Sequence, residues 1–440
     1  MRRRRVLLPR RDTAGPDHLV HADLKTAHGN VRHVLCEVFL PKHGTKEPCF
    51  YFYPTSAQAE ILQVVWAFDL TATIRSAGRK ILISAEEVLN GGVVTGHRDG
   101  ISFVNSFDGR PLSVERTVTA ARGNGKEVLK GTFHLTPCPV INTASIIERS
   151  YTGAVNVKRV VVPSFTLNCG LKMEFKKHFH SATGSKKESI TTSHLVAEFE
   201  STKPLQRVQF EEALGEFQEF LLLASFAARY RCVCLRWDIA DEREAVTQHF
   251  QQNCVLPSTR QPGPDETLID ISDFLDFIGP SFSLYRSFSD RSFVNNAMFA
   301  LAGVRSISTD RFLVYFSALE SLLLHMRHSR GGVKGKATFK ELFNEFQKIY
   351  AVDTDDLWPL LDRKAGPSLK DIRNRIAHGQ PLESREEHFL FWPTENLKWV
   401  VERMVLAILK WPLQKSKANP KFLPHLTAHN WRHAITQFRP

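Results

Sequence analysis

The spacing of hydrophobic residues changes between the two halves of the chain. Up to about residue 200, short β-branched or aromatic runs are separated by turn residues, a pattern that favours antiparallel strands. Leu171, Met173 and Phe175 alternate with charged neighbours, as in a strand that buries one face. The pattern predicts strands over residues 33–40, 49–53, 61–70, 80–84, 112–118, 127–135, 155–162 and 171–176, with turns at Asn90-Gly91-Gly92, Asp108-Gly109 and Asn124-Gly125.

In the later part of the chain, apolar residues are spaced three or four apart, which is the period of an amphipathic helix. The clearest apolar face consists of Phe339, Leu342, Phe343, Phe346 and Ile349. Helices are predicted over residues 210–230, 290–301, 309–326, 338–350, 355–363, 368–378 and 394–410, the last beginning at a cap after Pro393. A strand is predicted over residues 232–238.

These patterns predict an α+β protein. A β-rich N-terminal domain, sandwich or barrel-like, is followed by a C-terminal all-α helical bundle. The predicted order along the chain is a basic tail (1–11), the β-rich domain (12–207), a helical transition with a strand and a linker (208–265), the helical bundle (266–412) and a basic C-terminal tail (413–440).

The net charge of +12 is concentrated at the two ends of the chain. Residues 1–11 contain six arginines, residues 411–440 contain five lysines and arginines, and neither stretch contains an acidic residue. Without these eleven charges, the remainder has a net charge of about +1. The ends can hold RNA non-specifically through its phosphates, but the folded body is not predicted to be a basic surface.

Composition also indicates the cellular compartment of the protein. The seven cysteines are odd in number and scattered, which fits a reducing cytoplasm better than a disulfide framework. No apolar run approaches the ~20 residues that a membrane helix needs, and the basic N-terminus lacks the apolar region of a signal peptide. The sequence therefore predicts a cytoplasmic protein with no membrane partner.

The most informative motif is the run Arg-Asn-Arg-Ile-Ala-His-Gly over residues 373–379. In the helix predicted there, Leu369, Ile372 and Ile376 form a buried stripe, while the i, i+4 pair Asn374 and His378 points to the opposite side. The glycine that follows suits a helix end. Arginine can neutralise phosphate charge and histidine can transfer protons, so Arg373 and His378 are candidates for RNA cleavage.

The motif resembles that of the HEPN (higher-eukaryote and prokaryote nucleotide-binding) superfamily. An arginine and an asparagine are followed by a histidine four residues later, and an upstream helix reads Phe-Ser-Ala-Leu-Glu-Ser-Leu-Leu over residues 316–323. The chain is most similar to the Apea-like branch of bacterial defence proteins, over residues 281–411. The resemblance implies an endoribonuclease in which Arg373 and His378 are catalytic and Asn374 supports them.

The same resemblance implies further properties. Cleavage would need no metal and no cofactor, and the active unit would be a homodimer through the helical bundle with RNA as substrate. The biological role would be antiphage or abortive-infection defence, with a phage-derived or cellular trigger sensed by the N-terminal domain. Two other functions remain open: a non-catalytic RNA- or nucleotide-binding module, and an interaction protein that only dimerises.

Several further residues are candidates for contacts at this site. Glu320 lies in an apolar helix and either pairs with Arg373 or faces solvent. The glycine-rich stretch after the helix is either an RNA-contacting loop or a solvated connection. The RNA-binding candidates are Arg327, Arg330, Lys334, Lys336 and Arg375.

A metal site is not predicted. His425, His429 and His433 are spaced four apart, which is compatible with metal ligation on a helix, but no acidic or cysteine ligand is near them. The chain also lacks His-Glu-x-x-His and Gly-x-Ser-x-Gly motifs, so the sequence does not support a metalloprotease or a serine hydrolase.

Overall fold

The structure of the protein is a computed structural model. It describes residues 16–41, 48–62, 64–76, 79–98, 101–120, 127–141, 143–149, 155–183, 189–241, 246–251, 266–303, 309–329, 337–362, 366–380, 382–418 and 434–438. The predicted turn at Asn124-Gly125 and the three C-terminal histidines lie outside these residues.

The chain forms two compact units, each built from three stretches of sequence. The first unit comprises Met1–Thr136, Cys169–Ala213 and Cys234–Cys254, and it is rich in strands. The second comprises Pro137–Asn168, Leu214–Val233 and Val255–Pro440, and most of its elements are helices. The predicted mixed α+β class, with strands in the N-terminal region and helices in the C-terminal part, is confirmed.

Fifteen strands are described. They are β1 (His18–Thr26), β2 (Gly29–Phe39), β3 (Cys49–Tyr53), β4 (Ala67–Ser76), β5 (Arg79–Arg98), β6 (Ile101–Arg110), β7 (Ser113–Ala120), β8 (Glu127–Leu135), β9 (Ala144–Arg149), β10 (Val155–Val161), β11 (Ser164–Thr166), β12 (Lys172–Thr183), β13 (Ser189–Gln206), β14 (Cys234–Ala240) and β15 (Val246–Gln251). The predicted strands over residues 49–53 and 127–135 are confirmed to the residue.

In the first unit, the strands pair antiparallel in the order β12-β13-β8-β14-β15-β7-β5-β4-β1-β2-β3-β6. A further pairing of β5 with β6 closes β5-β4-β1-β2-β3-β6 into a ring. Leu89 is the junction, because it pairs with Ala67 of β4 and with Arg110 of β6. Inward-facing residues such as Val34, Phe50 and Ile83 form the core of the ring.

Two of the predicted turns are wrong. Asn90-Gly91-Gly92 lies inside β5, where the register with β6 shifts, because glycine readily accommodates a bulge within a strand. Asp108-Gly109 lies inside β6. A Cβ atom on Gly109 would come within 2.6 Å of the Phe52 ring, so a glycine is needed there for close packing and not for a turn.

The strand predicted over residues 61–70 is also partly wrong. Its first residues end a short helix, α1 (Ser56–Leu62), and the strand begins only at Ala67. Ala59 and Leu62 are both buried and lie three residues apart, a spacing that suits a helix and not a strand.

The described helices after α1 are α2 (Arg207–Ala228), α3 (Phe274–Arg286), α4 (Ser292–Gly303), α5 (Thr309–Ser329), α6 (Phe339–Tyr350), α7 (Leu369–Ala377), α8 (Ser384–Phe389) and α9 (Phe391–Ile408). In the second unit, α5 packs against α4, α6, α7 and α9. The strands β9 and β10 form an antiparallel pair in this unit. None of the helices in the ranges given above is long and apolar enough to cross a membrane.

The helix predicted over residues 355–363 is wrong over its described part, 355–362. This segment is held by bonds to distant residues: the Trp358 backbone N–H donates to Asn396 Oδ1 at 2.9 Å, and its indole N–H donates to the Pro367 carbonyl at 3.0 Å. The predicted start of the last helix is also wrong, because α9 begins at Phe391 and contains Pro393 in its first turn, where proline is tolerated.

Part of the stretch predicted as a C-terminal tail is packed in the second unit. Ala418 and Ile435 are buried, and the ring of Phe438 meets Trp358 edge-to-face with centroids 5.5 Å apart. Lys417 forms an ion pair of 2.6 Å with Asp270. The residues at 413–418 and 434–438 therefore contribute to the folded unit that contains the candidate site.

Candidate functional site

The helix α7 that carries the motif is fixed at its N-terminus by a capping box. Ser368 Oγ accepts the backbone N–H of Asp371 at 3.2 Å, and Asp371 Oδ2 accepts the backbone N–H of Ser368 at 3.0 Å. Leu369 and Ile372 are fully buried, whereas Ile376, the third member of the predicted stripe, is half-buried. The cap and the two buried residues together set which face of α7 remains open.

The C-terminus of α7 ends in a Schellman motif at the histidine. His378 is the C-cap, and Gly379 follows with φ of +68°. The backbone N–H of Gly379 donates to Ile376 O at 3.1 Å, and that of Gln380 donates to Arg375 O at 2.9 Å, which is the bond pattern of this motif. His378 is exposed. The predicted helix end is confirmed, and it presents the imidazole at an open helix terminus.

The Arg373 side chain extends from α7 to α5 and has three weak partners. Its Nη2 donates to Glu320 Oε1 and its Nη1 donates to Asn374 Oδ1, each at 3.3 Å, which is longer than the usual hydrogen bond. The guanidinium also lies over the Phe316 ring, 5.6 Å from its centroid. The side chain is 32% exposed. The guanidinium is therefore oriented by its neighbours but only loosely neutralised.

Arg375 has a very different environment, although it is only two residues away. Its two Nη atoms donate to the two carboxylate oxygens of Glu386 on α8, each at 2.8 Å. Glu386 is 1% exposed. These hydrogen bonds to Glu386 raise the pKa of Arg375 above its usual value. This arginine, an RNA-binding candidate in the sequence, forms a bidentate ion pair that ties α7 to α8.

The remaining RNA-binding candidates are only partly described. Arg327 is half-buried near the end of α5. Arg330, Lys334 and Lys336 lie outside the described residues. Within the ranges that the structure describes, no group of three or more His, Cys, Asp or Glu side chains has an arrangement that could hold a metal ion.

Two residues near the motif received no role in the sequence analysis. Phe316 supplies a ring face to Arg373, and its i, i+4 spacing from Glu320 on α5 was a signal that both side chains meet the same neighbour. Glu386 gave no such signal, because a glutamate eleven residues after an arginine has no fixed relation to it in sequence.

Comparison with known proteins adds no further constraint. No family model, no curated protein and no solved structure matches the chain.

Proposed function

We propose that the protein is a metal-independent endoribonuclease whose reaction centre contains Arg373, Asn374 and His378, in a helical unit of HEPN type. The observation that carries the proposal is the open end of α7. Arg373 is one-third exposed with only 3.3 Å polar contacts, and His378 is exposed at the C-cap of the same short helix. A weakly held cation and an accessible imidazole are the two groups that RNA transesterification needs.

The proposed reaction uses a nucleophile from the RNA itself. His378 accepts the proton of a ribose 2′-hydroxyl, and the resulting oxygen attacks the adjacent phosphorus. The bond from phosphorus to the 5′-oxygen then breaks, and that oxygen takes a proton from the protonated His378 of the second copy in the proposed dimer. The products are a 2′,3′-cyclic phosphate and a 5′-hydroxyl. No outside nucleophile is consumed, so the protein needs to supply only proton transfer and charge stabilisation.

Charge stabilisation is the role proposed for Arg373. The phosphorane carries more negative charge than the ground-state phosphodiester, and a guanidinium matches two of its oxygens. Glu320 and the Phe316 ring orient the guanidinium before the substrate arrives. Because the amide oxygen of Asn374 accepts from Arg373, its NH₂ group remains the part that can orient the phosphate or the histidine.

The proposed biological context comes from the resemblance to Apea-like proteins of bacterial defence. In that context, the RNA substrate would be cut during phage infection, and the strand-rich unit would keep the nuclease silent or sense a trigger. The helical unit would form the homodimer that brings two copies of the α7 terminus to one substrate.

The decisive experiment compares RNA cleavage by the wild-type protein and His378→Ala in EDTA. His388→Ala is the matched control, since His388 is also exposed and lies on α8 of the same unit. We expect cyclic-phosphate products from the wild type and from the control, and none from His378→Ala. RNA binding without any cleavage by the wild type would instead identify a non-catalytic binding module.

A second pair of variants tests the role proposed for Arg373. Arg373→Ala removes the proposed charge partner of the phosphorane, and Lys340→Ala removes one exposed cation from α6 as a control. Loss of cleavage in both variants would show that general positive charge matters, and not the placement of Arg373.

A further inference from the structure

A second polar site lies in the first unit, at the end of the strand ring where β1 begins and β2 ends. A cavity of about 320 Å³ is present there. Its apolar wall consists of Leu40, Pro41 and Phe250, and β7, β14 and β15 contribute its polar wall. Small-ligand sites usually have a volume of roughly 300–1,000 Å³, so this cavity is large enough for a small molecule.

Arg116 on β7 is the unusual residue of this cavity. Its Nε donates to His18 Nε2 at 2.9 Å, and its Nη1 donates to Gln248 Oε1 at 2.8 Å. A guanidinium has no acceptor atom, so His18 Nε2 must be unprotonated and the imidazole neutral. Burial, followed by the charge of Arg116, lowers the pKa of His18, which agrees with this tautomer. Both partners of Arg116 are therefore neutral.

No carboxylate of the described residues comes within ion-pair distance of Arg116, which is half-buried. Burial also lowers its pKa, as expected for a cation that has no close counter-ion. Charged side chains in such positions usually have a partner of opposite charge. The unused Nη donors of Arg116 and the lack of a carboxylate in direct contact with it, among the described residues, therefore favour an external anion.

The neighbouring arginine provides an internal comparison. Arg236 donates through Nε and Nη2 to the two carboxylate oxygens of Asp238 and lies over the Phe250 ring, 4.9 Å from its centroid. Its charge is balanced within the protein. Asp17 also lines the cavity, but its Oδ2 accepts the backbone N–H of Leu40 at 2.7 Å. The Asp17 carboxylate therefore reduces the positive potential of the cavity without pairing with Arg116.

We propose that this cavity binds a small phosphate-bearing molecule through the guanidinium of Arg116. A phosphate offers more negative charge and more acceptor oxygens than a carboxylate, and its geometry matches the planar fork of arginine. The apolar wall can pack against an organic part of the ligand. The proposal does not depend on the ribonuclease activity proposed for the second unit.

The test is isothermal titration of the full-length protein with AMP and, separately, with inorganic phosphate, in a buffer free of other phosphate. Arg116→Gln removes the charge, and Arg75→Gln on β4 is the control, since Arg75 is exposed in the same unit. Loss of a charge-assisted hydrogen bond predicts binding weakened by about tenfold or more in Arg116→Gln. Arg75→Gln should bind within about twofold of the wild type.

Asp17→Asn should change the affinity for phosphate in the direction opposite to that of Arg116→Gln. The asparagine side-chain oxygen can still accept from Leu40, while the negative charge near Arg116 is lost. Phosphate binding should become tighter. General damage to the fold would weaken binding in both cavity variants, so opposite effects from Arg116→Gln and Asp17→Asn separate recognition from structural damage.

Several results would overturn the proposal: no saturable binding of either probe by the wild type, equal binding by Arg116→Gln, or weaker binding by Asp17→Asn. If Arg116→Gln does not fold, Arg116→Lys keeps the charge but loses the planar fork, and the same loss of affinity is expected. Equal affinity for both probes would mean that only the phosphate group is recognised. Tighter binding of AMP would mean that the apolar wall also contributes.

Discussion

Arg375 and Glu386 form a bidentate ion pair with two hydrogen bonds of 2.8 Å, and the carboxylate of this pair is almost completely buried. Arg373, two residues earlier on the same helix, meets its own glutamate at 3.3 Å in a much more exposed position. The same residue type therefore has two environments in one short helix. One arginine holds α7 against α8, and the side chain of the other remains about one-third exposed.

Alanine substitutions of Arg375 and Arg373 should have different effects on stability and cleavage. Arg375→Ala leaves the buried Glu386 without its main counter-ion, which should cost about 3–5 kcal/mol of unfolding free energy. Arg373→Ala removes an exposed pair worth about 0–1 kcal/mol, so its melting temperature should change little while RNA cleavage is lost. Thermal unfolding and cleavage of both variants check this. Equal destabilisation by the two substitutions would contradict the assignment.

Glu320 should limit the affinity for RNA. Glu320→Gln keeps an acceptor near Arg373 but removes a negative charge that lies 3.3 Å from its guanidinium. We expect an unchanged melting temperature and tighter RNA binding at low salt, with Glu387→Gln on α8 as an exposed control. If RNA binding is unchanged, the charge of Glu320 does not limit the affinity, and a loss of cleavage alone would then leave only its role in orienting Arg373.

The core of the helical unit depends on a buried ion pair. Arg229 donates to both carboxylate oxygens of Glu402, which is completely buried on α9. Glu402→Gln should therefore cost about 3–5 kcal/mol of unfolding free energy, since it removes the carboxylate to which the buried Arg229 guanidinium donates directly. Burial lowers the pKa of Lys398, the neighbouring cation, so Lys398→Met should cost clearly less. Urea unfolding of both variants measures the difference, and an equal loss would argue against this account.

Low pH should destabilise the helical unit because Glu395 becomes protonated. Burial acts to raise its pKa, but Lys398 and Arg311 outweigh burial, and the pKa lies below the usual value of 4.5. A carboxylate with a lowered pKa in the folded state stabilises the fold above its unfolded pKa and loses that contribution as the pH falls through the folded pKa. The melting temperature should fall below about pH 4.5, and Glu395→Gln should show a smaller fall. Identical pH profiles would exclude this contribution.

Cleavage should require a dimer of the protein. Leu369 and Ile372 commit one face of α7 to the core of the unit, whereas His378 is exposed. One imidazole cannot readily accept the 2′-hydroxyl proton and donate a proton to the leaving oxygen at once, but two copies around a two-fold axis can. Excess His378→Ala protein should therefore inhibit the wild type by forming mixed dimers. A protein that is fully active, and that light scattering shows to be a monomer at the assay concentration, would refute this.

The sequence by itself determined the local features of the protein. The strands over residues 49–53 and 127–135 follow from short runs of β-branched and aromatic residues. The end of α7 just before Gly379 follows from the helical period and the conformational freedom of glycine. The motif that carries the proposed chemistry is also local, since Arg373, Asn374 and His378 occupy one helix and its cap. Interactions within about one turn of a helix or one strand decide such features, so they can be read from neighbouring residues.

Only the tertiary structure decided the features that depend on distant residues. The glycines at 91 and 92 continue a strand because β6 pairs with it. In the non-helical segment 355–362, Asn396 and Pro367 accept hydrogen bonds from the backbone and the indole of Trp358. The difference between Arg373 and Arg375 depends on Glu386, and the cavity around Arg116 joins residues more than two hundred positions apart. These contacts are fixed by strand order and by packing between elements, which local periodicity does not encode.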